Sequence, residues 1–158
     1  MEYKEVLAAR HSVRRFKEEA VDRSLIDEMI DEALLAPSSK HSASSGFMVI
    51  EDPSVLEAIS EMRSAARFVK GAAAAIVVLG DSSKSDLWVE NSSISATYLM
   101  LSAVDKGLGS CWVQVAGRLR DSSDPLKGDA EGYLRELLGV KDNMRILCVI
   151  ALGYKDEA

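Results

Sequence analysis

Ala72-Ala73-Ala74-Ala75-Ile76-Val77-Val78-Leu79-Gly80 is the run whose reading decides the fold. Small residues lead into β-branched ones, and no charge interrupts them. Such a run predicts a central strand covered on both faces. A strand of that kind needs a helical layer on each side of its sheet. Asp81-Ser82-Ser83-Lys84-Ser85 then reads as a turn.

The chain supplies the remaining strands and helices on either side. Phe47-Met48-Val49-Ile50, Cys111-Trp112-Val113-Gln114-Val115 and Ile146 to Leu152 read as further buried strands. Glu2 to Arg10 predicts a short helix with Val6 and Leu7 on its buried side. Asp22 is a candidate N-cap for a helix in which Leu25, Ile26, Met29, Ile30, Ala33 and Leu34 recur at helical spacing. Pro37 ends it. Pro53 suits the first turn of a helix running to about Ala66. Asp86 to Lys106 is the longest predicted helix. Its Ile94, Ala96, Tyr98, Leu99, Leu101 and Ala103 point to burial against the sheet or a partner subunit, and Gly107 is a natural cap. A last helix covers Ala130 to Leu138. The order predicts α+β or mixed α/β architecture, helices on both faces of one sheet, in a single domain spanning 1–158.

Composition narrows the function. The chain has 158 residues and is 47% hydrophobic, enough for a packed core. Lys plus Arg number 19 against 25 acids, a net charge of −6, which argues against nucleic acid as partner. No apolar run is long enough to span a bilayer, and the N-terminus lacks a basic-then-apolar leader pattern. Cys111 and Cys148 sit in apolar surroundings, as reduced core residues do, so a cytoplasmic location is expected. Two His and two distant Cys give no metal-ligand spacing, so no metal is expected. Gly107-Leu108-Gly109-Ser110 follows a helix and lacks the third glycine of a dinucleotide fingerprint.

Against this acidic background, Ala9-Arg10-His11-Ser12-Val13-Arg14-Arg15-Phe16 concentrates three arginines, a histidine and a hydroxyl. A solvated basic turn is the simplest reading. The sharper one is a site for a specific anion, because guanidinium forks match phosphate and carbonyl oxygens in pairs. The stretch Pro37-Ser38-Ser39-Lys40-His41-Ser42-Ala43-Ser44-Ser45-Gly46 reads as a connector or as a ligand loop of hydroxyls and free amides. Gly117 permits close approach of backbone to a ligand. Ser38, Ser39 and His41 are close in sequence, but no nucleophile-elbow pattern surrounds them.

Four pieces in order resemble the FMN-dependent nitroreductase family over nearly the whole chain. They are Arg10-His11-Ser12-x-Arg14-x-Phe16, Ala36-Pro37-Ser38-Ser39, the long helix running into Gly107-Leu108-Gly109-Ser110-Cys111-Trp112, and Ile150-Ala151-Leu152-Gly153-Tyr154. The resemblance implies a three-layer α/β/α sandwich of α+β class around one central mixed or antiparallel sheet. It implies FMN as cofactor, NADH or NADPH as reductant, and a nitroaromatic, quinone or similar flat electron acceptor. It also implies a homodimer with flavin at the interface. By position, Arg10, His11 and Ser12 would hold the phosphate and ribityl chain, and Arg14 would lie beside N1 and the C2 carbonyl of the ring. Pro37, Ser38, Ser39 and His41 would reach the flavin bound mainly by the other subunit. The backbone of Val115, Ala116 and Gly117 would face N5 and O4. The chemistry would be the flavin's, with no catalytic side chain required.

The chain departs from the family pattern at three places. His41 stands where the family usually has Asn, and Ala43-Ser44-Ser45 stand for Gln-Pro-Trp. Ala116 stands where some members carry Glu. After Gly153-Tyr154 the family's basic tail is replaced by Lys155-Asp156-Glu157-Ala158, which makes Lys155 a candidate phosphate contact. These departures leave open a flavin-binding or carrier protein with little turnover, or a different flavin reaction on the same fold.

Overall fold

The computed structural model describes residues 1–157. Four strands form one antiparallel sheet in the order β1-β2-β4-β3: β1 (Ser45–Ile50), β2 (Ala74–Asp81), β3 (Gly109–Gln114) and β4 (Met144–Gly153). All eight residues of β2 are buried, as its lack of polar alternation requires. The strands start or end within two residues of the spans read from the sequence.

Side-chain alternation divides the core into two halves. Ile76 and Val78 of β2 and Ile150 and Leu152 of β4 pack under α2 (Arg23–Ala33) and α4 (Trp88–Asp105). Val77 and Leu79, with Val149 and Ala151, pack under α3 (Pro53–Ser60) and α5 (Ala130–Leu138). The result is the three-layer α+β sandwich, with an antiparallel sheet. Asp22 caps α2 by accepting the Ser24 amide at 3.0 Å.

Three expectations need correction. On α1 (Tyr3–Ala9) Val6 is buried, but Leu7 is 45% exposed. The helix predicted to reach Ala66 stops at Ser60. Arg63 is fully extended there, and a 3-10 segment, Ser64–Gly71, follows. The buried stripe of α4 is made largely of small and polar residues: Asn91, Ser92, Ser95, Ala96, Leu99, Ser102 and Ala103. Ile94 and Tyr98, which the pattern grouped with the buried residues, face outward. Ser95 ties α4 to α2 by donating to the Ala33 carbonyl at 2.7 Å.

β4 carries an irregularity that shapes its neighbour. Val78 pairs with Cys148 and Leu79 with Ile146, so Leu147 has no opposite residue on β2. This is a β-bulge, which bends a strand and re-aims its polar groups. The Leu147 carbonyl accepts the amides of both Val115 and Ala116, each at 3.1 Å, and there β3 gives way to a turn.

Candidate functional site

The arginine segment lies along the edge of the sheet. Val13 donates to the Ser110 carbonyl at 2.9 Å, and Lys17 to the Tyr154 carbonyl at 2.8 Å. Isolated bridges pair Ser12 with Ser110 and Phe16 with Lys155. Two glycines make this approach possible. A Cβ on Gly109 would lie 2.9 Å from Val13, and one on Gly153 would lie 2.9 Å from Phe16. The GLG and GY pieces of the sequence thus serve as seats for the N-terminal segment.

Buried Val13 and half-buried Phe16 anchor the segment, while Arg10, His11, Ser12, Arg14 and Arg15 are exposed. Ser12, Arg14, Arg15, Lys155 and Asp156 help to line a cavity of 310 Å³. An adjoining cavity of 250 Å³ shares His11, Val13 and Lys155 and continues along Gly107 to Ser110. The side chains of Arg10, Arg14, Arg15 and Lys155 make no ion pair or hydrogen bond among the described residues. Some other cations of the chain are ion-paired, among them Lys106 with Glu32 at 2.9 Å, Arg145 with Glu131 at 2.8 Å and Lys127 with Asp121 at 3.1 Å. Cations left without partners around one hollow of an acidic protein are suited to an anionic ligand. Arg10 is beside this hollow in sequence but lines neither cavity. His11 turns its Nδ1 to its own segment, 2.9 Å from the Ala9 carbonyl.

The serine loop is a separate place in the single chain. Its cavities, of 70 Å³ beside Pro37 and Ser38 and 190 Å³ beside Ser39, Lys40 and Ser42, share no residue with those around Arg14 and Lys155. One buried side chain organises it. Asn91 accepts the Ser39 amide at 2.9 Å and donates to the hydroxyls of Ser44 at 3.0 Å and of Ser42 and Ser85 at 3.3 Å. Lys40, His41 and Ala43 all have left-handed backbone, with φ of 54, 53 and 47°. Each such non-glycine residue costs roughly 1–2 kcal/mol, so the shape is imposed by its surroundings. Sequence reasoning missed Asn91. The available signal was an amide in the first turn of the long helix, on the same face as Ser95, Leu99 and Ser102.

The third candidate group is the turn after β3. The amides of Val115 and Ala116 are taken up by Leu147, so the expected Ala116 donor is already engaged. Gly117 is exposed, its φ is +75°, and its N–H has no acceptor among the described residues. The positive φ belongs to the turn that the Arg118 amide closes on the Val115 carbonyl, and glycine adopts it without strain. The bulge at Leu147 could not be read from sequence, because residue pattern does not report register. Both cysteines are free and buried, and burial pushes the Cys148 thiol well up, as expected of an inert core residue.

Fold and site together define an α+β protein that presents unpaired guanidinium groups along one edge of its sheet. Its sequence matches the Nitroreductase family model over residues 7–66 and 60–154. It is 39% identical to a solved FMN-dependent nitroreductase of Clostridium difficile R20291, covering 97% of this chain and 87% of that one with a TM-score of 0.89. A solved protein of Parabacteroides distasonis, provisionally named NADH dehydrogenase/NAD(P)H nitroreductase, is 31% identical over 98% of this chain and 88% of that chain, with a TM-score of 0.88. A similarly named protein of Methanothermobacter thermautotrophicus is 32% identical over 99% of this chain and 79% of its own length. The chain belongs to the Nitroreductase family, a family of oxidoreductases. No helix among the described residues is long and apolar enough to cross a membrane.

Proposed function

We propose that the chain is an FMN-dependent oxidoreductase that takes hydride equivalents from NADH or NADPH and delivers them to a flat acceptor such as a nitroaromatic or quinone. The observation that carries this reading is the set of unpaired cations, Arg14, Arg15 and Lys155, around one hollow that Ser12 also lines. The residues present fit the cofactor. Guanidinium and ammonium groups suit its phosphate, and the unsatisfied Gly117 amide suits a ring heteroatom. FMN, when bound, supplies the hydride acceptance and release that no side chain here could provide.

In this reading Arg10, His11, Ser12 and Lys155 bind the phosphate and ribityl chain. Arg14 sets its positive charge against the ring edge where negative charge gathers on reduction, which favours the reduced form. Gly117 orients the ring through its amide. Pro37, Ser38, Ser39 and His41 serve the flavin site of a second copy, which accounts for their separation from Arg14 within one chain. Residues 1–158 act as one domain, and two copies form the working unit. Exposed Tyr3, Leu7, Leu34, Leu35, Ile94 and Tyr98 on α1, α4 and the end of α2 supply an apolar surface for pairing.

The test is an absorption spectrum and solution mass of the purified protein. A flavin spectrum that bleaches on anaerobic addition of NAD(P)H, with a two-chain mass, is the expected result. A colourless protein that takes up no FMN on reconstitution refutes the reading.

A further inference from the structure

The turn that exposes Gly117 is flanked by arginines that belong to no expected part of the site. Arg63 donates its Nε to the Gln114 carbonyl at 3.0 Å, at the last residue of β3. The Gln114 side chain in turn donates to the Ala116 carbonyl at 3.0 Å. Arg118 closes the turn by donating its amide to the Val115 carbonyl at 3.1 Å. Arg120 ties the far side back to the segment before Arg63. It donates to the Glu61 carbonyl at 2.9 Å and stacks over the Tyr133 ring at 4.0 Å.

Arg63, held at the Gln114 carbonyl, and Arg118, whose amide closes the turn, therefore belong to the same turn as the exposed Gly117 amide. Neither has a carboxylate partner among the described residues. Burial and, after it, the charge of Arg118 hold the Arg63 pKa below its ordinary value. Two neighbouring guanidiniums without a counter-ion repel each other, and an arriving oxyanion relieves that repulsion. Arg63 is half-buried and fixed by its carbonyl contact, while Arg118 is exposed and free to swing onto a ligand.

We propose that Arg63 and Arg118 form a clamp for an oxyanion, a carboxylate or a phosphate, carried by the molecule that exchanges electrons at the Gly117 turn. This rests on the flavin reading above and adds the charge of its substrate. The oxyanion could belong to the acceptor, as a ring carboxylate, or to the reductant, as the 2′-phosphate that distinguishes NADPH from NADH.

The test uses the full chain reconstituted with FMN, and flavin loading is measured first. Wild type and Arg118→Gln are compared with 4-nitrobenzoate against neutral 4-nitrobenzyl alcohol, and with NADPH against NADH. Calorimetric titration with benzoate provides a readout independent of turnover. The expected result is a fall of about tenfold in kcat/KM for the anionic member of one pair, seen mainly in KM, with its neutral counterpart unchanged. A shift in the nitrobenzoate ratio, with weakened benzoate binding, places the oxyanion on the acceptor. A shift in the NADPH ratio places it on the reductant. Both ratios within twofold of wild type, with flavin loading intact, overturn the clamp. Failure of wild type to load flavin overturns the flavin reading and the clamp with it. Arg63→Gln should repeat the result. Should it fail to fold for want of its Gln114 contact, Arg118→Gln, altered at an exposed side chain, decides alone.

Discussion

Val13 donates its amide to the Ser110 carbonyl at 2.9 Å, and an added Cβ on adjacent Gly109 would sit 2.9 Å from the Val13 side chain. The contact fixes where Arg14 and Arg15 emerge. Gly109→Ala should push Val13 away through its Cβ, which cannot move without its backbone. Overpacking of this kind costs roughly 1–3 kcal/mol. We expect a lower Tm and FMN binding weaker by about tenfold or more, read by quenching of flavin fluorescence. Unchanged affinity would show that the position of the segment does not govern the grip.

Asn91 is the support of the serine loop. Asn91→Ala removes the acceptor of the Ser39 amide and a donor to three hydroxyls. An unmatched buried polar group costs about 1–3 kcal/mol. Faster amide exchange confined to residues 38–45, with the sheet still protected, is the expected signature. Protection equal to wild type would mean that the loop holds its shape without this side chain.

Ala43 is exposed and has φ of 47°. Ala43→Gly should relieve roughly 1–2 kcal/mol of left-handed strain while adding roughly 0.5–1 kcal/mol of unfolded-state entropy. Net stabilisation of up to about 1 kcal/mol is expected in urea titration. A destabilised variant would contradict the strain argument.

Glu131 is 9% exposed, and burial alone would push its carboxyl up. Two hydrogen bonds from Arg145, at 2.8 and 2.9 Å, and the Ile146 amide at 3.0 Å outweigh burial and hold its pKa below the ordinary 4.5. A carboxylate depressed on folding adds stability that is fully present above its unfolded pKa. That stability is lost as pH falls below 4.5 through the folded value. Glu131→Gln should flatten this acid limb in a pH series of urea melts. The Arg145 side chain is 42% exposed, so screening should keep the loss at neutral pH to about 1–2 kcal/mol. A variant with the wild-type acid limb would remove Glu131 from the account.

Ile94 and Tyr98 are 39% and 40% exposed on α4. Ile94→Asp with Tyr98→Asp should give a one-chain mass by light scattering, unchanged far-ultraviolet dichroism and loss of bound flavin. A flavin-loaded pair of chains would place the contact on another face.

The sheet was legible because β2 carries no polar alternation and β4 is nearly as apolar. Helix limits were less so: nothing in the periodicity of Pro53 to Ala66 reports that Arg63 extends to reach Gln114. Leu7 and Ile94 misled because apolarity alone does not say which surface is covered within one chain. The Arg14 cluster and the Gly109 and Gly153 seats were legible as motifs. Asn91, the Leu147 bulge and the Arg63–Arg118 pair were not, since each depends on residues distant in sequence.

β3 is the last strand of its sheet, and its outer side meets the arginine segment at Ser110. Exposed strand borders invite pairing with other chains and the growth of aggregates. The same residues that would hold a ligand therefore also shield a sticky rim. Solubility and ligand grip are coupled through one stretch of backbone, so variants that loosen it should show turbidity on storage together with weaker binding.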